Sequence, residues 1–430
     1  MVSSQRGRSA RRATRWCVAA SLLVAGCVTA APDSSPTPNV LRVPAEHASV
    51  QAAVDAAEPG DLVLVDAGRY HEAVRVTTND LVIRGVQRDT VIFDGEFRLS
   101  DGFLIAANGV VIENLTVQHY TQNGVVFSGA FASQQRGASG YDAVYGTDDN
   151  VVDGYRVSYV TAVNNGQYGV YAFAARNGII EHSYASGHPD SGFYVGQCRP
   201  CNALLTNLIA ERNAIGYYGT NASGDVWVVE SVFQNNRLGV APNSQDAERL
   251  APQQHTIVAA NLIIDNDDPK TPEIPMGLFG VGIAVGGGTE NIVRRNRIVG
   301  HDGAGIVVSR LGRFVPENNR IEQNVFATNR IDVVLQVDDA TGLGNCFANN
   351  TFDTSDPRDI EQILACGAAP KTVPQSTYRP LSAPPGVAVN LMPGTPTQPS
   401  MPNAATAAPK PMREMPRFPD LDLLQVPLLP

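Results

Sequence analysis

Val228-Val229-Glu230-Ser231-Val232-Phe233, Val258-Ala259-Ala260-Asn261-Leu262-Ile263, Val293-Arg294-Arg295-Asn296-Arg297-Ile298 and Ile321-Glu322-Gln323-Asn324-Val325-Phe326 repeat one pattern: an apolar residue, two variable ones, Asn or Ser, then apolar again two positions on. Earlier copies are Val111-Ile112-Glu113-Asn114-Leu115 and Leu204-Leu205-Thr206-Asn207-Leu208-Ile209. With Tyr159 and Ser183 as looser copies, the anchors fall at 114, 159, 183, 207, 231, 261, 296 and 324, in steps of mostly 24 to 35 residues. The first step, 45 residues long, contains a Gly-rich insertion. Self-similarity at such a period marks a stacked repeat architecture, because one unit cannot bury its own apolar face.

Five residues after the anchors stand His119, Asn164, His188, Arg212, Asn236, Asn266, His301 and Asn329. Most copies then restart on Gly and an apolar residue, as in Gly169-Val170, Gly216-Tyr217 and Gly305-Ile306. Short apolar strands, an Asn-rich corner and a Gly turn once per unit predict a parallel β-helix of about nine coils. In register, corner amides such as Asn207 and Asn261 point inward and hydrogen-bond up and down the stack. A β-propeller needs about 40–45 residues for its four-stranded blade, more than these units supply.

Outward from the repeats, Ser49 is placed to N-cap a helix through Val50, Val54 and Ala57, stopped by Pro59-Gly60. Such a helix covers the exposed edge of a first coil. Residues 40–366 form the folded body, and residues 367–430 a tail that is extended or largely disordered. Its span 370–430 holds 15 of the 29 prolines, a density that no helix or sheet interior sustains.

The stretch Val50-Gln51-Ala52-Ala53-Val54-Asp55-Ala56-Ala57-Glu58-Pro59-Gly60-Asp61-Leu62-Val63-Leu64-Val65, followed by Gly68-Arg69-Tyr70, resembles the opening of pectin-lyase-like proteins. The Asn-anchored coils look like their repeats, and the likeness covers about three quarters of the chain. It implies an all-β, single-stranded right-handed parallel β-helix with an N-terminal capping helix. It leaves the chemistry open, because the fold carries lyases, hydrolases, esterases, epimerases and non-catalytic members.

The first 26 residues hold five Arg and no acid, followed by the short apolar run Cys17–Val24, as in a secretion signal. Val24-Ala25-Gly26-Cys27 resembles a bacterial lipobox, which implies a signal peptide over 1–26, lipidation of Cys27, a tether over 27–39, and anchoring to the extracytoplasmic face of a membrane. Without the leader, 32 − 5 = 27 bases face 42 acids, a balance near −15 that argues against nucleic acid and suits neutral sugars or cations.

The richest candidate patch is Gly187-His188-Pro189-Asp190-Ser191-Gly192-Phe193-Tyr194, with Arg212 one coil on. Removing the C5 proton of a uronate needs a base, a group that neutralises the carboxylate, and an acid. His188 and Tyr194 suit base and acid beside Asp190, and Arg212 or Arg199 suits the neutraliser. His-Pro-Asp is similar to the Asp-Pro-His-Asp signature of alginate C5-epimerases, though in a different order. The competing expectation is that His188 caps a corner filled elsewhere by Asn, and that Asp190 is a turn residue. Tyr168, Tyr171, Tyr194, Tyr217 and Tyr218 cluster in adjacent coils, so Tyr171, Tyr217, Tyr218 and Arg199 are expected to bind carbohydrate. The expected partner is a polysaccharide or cell-envelope glycan, bound and modified by lyase or C5-epimerase chemistry. A non-catalytic scaffold or adhesin is the alternative.

Acidic loops at Asp148-Asp149, Asp265 with Asp267-Asp268, and Asp338-Asp339 offer oxygen ligands suited to Ca²⁺, without the fixed spacing of a calcium loop. His119 and His188 would lie about 10 Å apart along the stack, too far to share one ion, and no metal ligands are assigned. Beyond Cys17 and Cys27, four cysteines remain. Three pairings are open, and proximity favours Cys198–Cys201 and Cys346–Cys366.

Overall fold

Strands alternate apolar side chains inward, and register turns this alternation into unbroken columns. One column runs from Leu41 through Val63, Ile112, Val157, Leu205 and Val258 to Phe347, each paired in parallel with the coil below. Those beyond Leu41 are fully buried, and each is worth about 1.5–3 kcal/mol of apolar transfer. The computed structural model describes residues 38–129, 150–246, 249–273, 278–369 and 371–429. The leader, Cys27, most of the tether, and the Gly-rich insertion with Asp148-Asp149 lie outside the described residues.

The coils form three faces. The first carries strands such as Leu62–Val65, Ala203–Thr206 and Ile292–Arg294; the second carries Val91–Asp94, Tyr184–Ser186 and Ile209–Glu211. The third carries Val170–Phe173, Ser191–Gly196 and Ile215–Thr220 within an eleven-stranded parallel sheet. Eleven exceeds the expected nine or so, because the coils built on Leu62–Val65 and Val82–Gly85 precede the first Asn anchor and have no such anchor of their own. The capping helix spans Val50–Ala56, with Ser49 Oγ accepting from the Ala52 amide.

Three internal ladders tie the corners. In the first, the Asn261 amide and Nδ2 both donate to Asn296 Oδ1 at 3.0 Å, and Asn296 repeats this on Asn324. The second runs Asn165, His188, Asn213, Asn236, Asn266, His301, Asn329. A third, unforeseen one joins Gln253, Asn291, Asn319 and Asn345.

In several coils the repeat's polar anchor lies one residue ahead of the inward position. Asn114, Tyr159 and Asn207 precede the first ladder, with φ of 58°, 53° and 53°, and His119, Asn164 and Arg212 precede the second, with φ of 57°, 50° and 56°. Each corner is a left-handed residue followed by an inward one. Asn suits both, the first through its tolerance of positive φ and the second through its amide, so spacing alone cannot separate them. Asn207 is exposed, whereas Asn261 is buried as expected.

The proline-rich tail is extended and docks along the body. Tyr378 packs on the third face with Ile215, Leu238 and Val334. The chain then passes Asn164, which donates to the Met392 carbonyl, and Arg88, which donates to that of Pro399. Met412 packs on Leu62, Leu64 and Val82 of the first face, and Phe418 stacks on Trp227 at 5.3 Å. Proline removes its own amide donors, so the tail is held through its carbonyls by arginines of the body: Arg84 on Ala404, Arg295 on Leu424, Arg297 on Pro427. Disulfides join Cys198 to Cys201 and Cys346 to Cys366.

Candidate functional site

On the third face, residues two apart share a side, so Tyr217 and Tyr218 point opposite ways. The outward column is Val126, Tyr171, Tyr194, Tyr218 and Ala241, in register over successive coils. Tyr171 and Tyr194 lie 4.8 Å apart between ring centroids, and Tyr194 and Tyr218 6.1 Å. Tyr168 closes the group, stacked on Tyr171 at 4.5 Å and tilted against Tyr194 at 5.1 Å. Tyr194 lies beneath its neighbours at 2 % exposure, whereas Tyr168, Tyr171 and Tyr218 are half-buried.

Asp190 enters this group from the corner that leads into Ser191–Gly196. Its carboxyl hydrogen-bonds Tyr168, and its Oδ1 is buried without a partner. Burial pushes the carboxyl up to about 7, against the opposing pull of the Tyr168 hydrogen bond. Burial likewise raises the Tyr168 hydroxyl well above its ordinary value, with the Asp190 charge adding to the effect. A carboxyl that titrates near neutrality beside aromatic rings can give or take a proton at physiological pH.

His188, expected as a base or acid, is a ladder residue. It is fully buried, with Nδ1 2.8 Å from Asn213 Oδ1 and Nε2 3.2 Å from Asn165 Nδ2. Burial depresses its imidazole to about 4, partly offset by the Asn213 bond, so it is neutral and out of reach of a substrate. Arg212 is not on the His188 ladder; Asn213 is. Its left-handed corner turns the guanidinium onto Glu211 Oε1 (2.8 Å) and the Tyr184 hydroxyl (3.1 Å) of the second face, away from the tyrosine group. Arg199 donates to the carbonyls of Leu250 (2.9 Å) and Pro252, in the loop ahead of Gln254–Ala259, rather than to the tyrosines. Tyr217 is fully buried in the inward column between Phe193 and Val240, so it cannot contact carbohydrate. Of the expected residues the structure gathers Asp190, Tyr194, Tyr171 and Tyr218. It adds Tyr168 as the partner of Asp190, which its position just ahead of Val170–Phe173 could have indicated.

Among the described residues no group of three or more His, Cys, Asp or Glu is placed to hold a metal ion. The Asp267 carboxylate accepts from the Asp302 amide at 2.9 Å instead.

The family described as "right handed beta helix region" matches residues 142–321. No curated protein matches the chain. Among solved structures it is similar to the mannuronan C-5 epimerase AlgE4 A-module of Azotobacter vinelandii, at 14% identity and a TM-score of 0.48 over 83% of this chain and 98% of that one. It is also similar to the pectate lyase Pel9A, at 13% identity and a TM-score of 0.47 over 75% and 79% of the two chains. A third is the Dettilon tailspike protein, at 12% identity and a TM-score of 0.42 over 74% and 69%. Identities this low concern the fold alone.

Proposed function

We propose that this right-handed parallel β-helix binds an extended polysaccharide across the outer surface of its third face, and that Asp190 transfers a proton there. The observation that carries the reading is Asp190 itself: a carboxyl near neutrality, with a buried unpaired oxygen, set among Tyr168, Tyr171, Tyr194 and Tyr218. Aromatic rings offer wide apolar faces with a polar edge, which suits sugar rings. Without His188 and Arg212, Asp190 is the base or acid of this site, and elimination and epimerisation on uronates are the reactions to test first.

Affinity for a panel of immobilised acidic and neutral polysaccharides tests binding. Tyr171→Ala with Tyr218→Ala should weaken the positive members at least about tenfold, or about 1.4 kcal/mol. Ultraviolet-absorbing unsaturated ends or C5 proton exchange would report turnover, which Asp190→Asn should lower by about 10²–10⁴. No binding to any member would defeat the proposal.

We further propose lipidation at Cys27, supported by the lipobox-like Val24-Ala25-Gly26-Cys27, and with it an extracytoplasmic, membrane-anchored location. A fatty-acid label present on the wild type and equally on Cys27→Ala would end that idea. A protein-contacting scaffold is the second reading. The exposed Leu423 and Leu428 near the tail's end favour it.

A further inference from the structure

Three coils before that of Asp190, on the second face and its following corner, a separate group of side chains surrounds Asp94. Its carboxylate is 7 % exposed and takes Arg69, Gln118 Nε2 at 2.9 Å, His119 Nδ1 at 3.2 Å and the Glu96 amide at 2.9 Å. Burial pushes its pKa up, but the bonds from Gln118, the Glu96 amide and His119, with the His119 charge, outweigh burial and lower it. With Nδ1 turned to the carboxylate, His119 keeps Nε2 on its outer side, where it has no partner among the described residues; the side chain is 30 % exposed. Phe97 lies against the imidazole at 4.8 Å between ring centroids. Around the rim stand His71 and Arg98, at 3.5 Å from opposite oxygens of the Glu96 carboxylate.

Two facts separate this group from ordinary corner architecture. The left-handed position of His119 is filled in later coils by Asn164, Gly187, Arg212, Asn235, Asp265, Gly300 and Thr328, so the turn itself requires no ring. Glu96 and Phe97 are consecutive non-glycine residues with φ of 51° and 53°. Such backbone costs on the order of 1–3 kcal/mol per residue and concentrates at functional sites. Here it lays Phe97 on His119.

We infer that Asp94, His119, Phe97, Glu96 and Arg69 form a second sugar subsite that takes a neutral hexose ring. Phe97 supplies a flat apolar face, the Glu96 carboxylate accepts from hydroxyls, and His119 Nε2 and Arg69, half-exposed, donate to them. Cations and carboxylates balance around the rim, which disfavours a charged sugar and matches vicinal hydroxyls that both give and accept hydrogen bonds. Asp94 is a positioning residue that holds the imidazole. The inference rests on the glycan reading above and narrows it to polymers that carry neutral residues beside uronates.

The test is NMR of the full chain with labelled histidine and tyrosine rings, titrated with cellotetraose and, separately, with tetragalacturonate. Cellotetraose should move the His119 ring resonance. His119→Asn, matching Asn164 one coil on, should preserve the fold and weaken the affinity read at the His71 ring about tenfold, as loss of one side-chain hydrogen bond predicts. Phe97→Ala should abolish the response at His119. A response to tetragalacturonate alone overturns the neutral class, and one indifferent to Phe97→Ala overturns the subsite. Movement confined to Tyr168, Tyr171 and Tyr218 overturns the subsite and leaves the third-face reading standing. Silence from both sets of rings defeats both.

Discussion

Asn296→Leu should destabilise the body far more than Asn207→Leu, because Asn296 is the inward ladder residue of its corner and Asn207 the left-handed residue ahead of one. Asn296 is fully buried. Its Oδ1 accepts from the Asn261 amide and side chain, and its Nδ2 donates to the Val258 carbonyl at 2.8 Å. Leucine leaves the Asn261 amide and the Val258 carbonyl without these partners, while Asn261 Nδ2 keeps the Val228 carbonyl at 2.8 Å. Two orphaned buried groups at about 1–3 kcal/mol each give a loss of about 2–6 kcal/mol. Asn207 makes one side-chain bond, to Thr206 Oγ1 at 3.1 Å, and its substitution costs only the left-handed conformation (φ 53°), on the order of 1 kcal/mol. Urea unfolding of both variants, followed by circular dichroism, measures the difference. Equal losses, or a larger one at Asn207, would refute the assignment of inward and corner residues.

His188 and His301 both fall to about 4 in the fold, from an ordinary value near 6.5, so their contribution to stability is complete above about pH 6.5 and is lost as pH falls towards 4. His188→Asn, the ladder's usual residue, should flatten that acid loss in a melting-temperature profile. Asp190 has the opposite sign: its raised carboxyl favours the fold at low pH and penalises it as pH rises through about 7, so Asp190→Asn should stabilise the protein at pH 8 more than at pH 5. Cutting the Cys346–Cys366 link, 20 residues apart, should cost about 3 kcal/mol in thermal unfolding, and cutting Cys198–Cys201 about 2 kcal/mol. Phe418→Ala should loosen the tail and red-shift the fluorescence of Trp227, which an undocked tail would leave unchanged.

The fold was legible because stacking makes one coil's constraints recur: the apolar spacing around Asn261, Asn296 and Asn324 reports the same corner three times. The capping helix was readable from Ser49 and Pro59-Gly60, and the disulfides from proximity. What failed did so at the scale of one residue. A shift of one turns Arg212 from a neighbour of His188 into an outward corner residue, and strand parity divides Tyr217 from Tyr218. Burial, which makes His188 inert and Asp190 protonatable, is a property of the stack and has no local signature. The apolar stretch Leu421–Leu429 points to a docked tail end, but where the tail docks has no local signature, because its partners, Arg84, Arg88 and Arg295, lie more than a hundred residues away in sequence.

The proposed site stands or falls on Asp190. Carboxyl-carbon NMR of the labelled protein, titrated between pH 4 and pH 9 with and without a polysaccharide that binds, reads its protonation directly. The account predicts a midpoint near 7 that shifts when the glycan covers Tyr171 and Tyr218. A midpoint near 4, unmoved by the glycan, would contradict it.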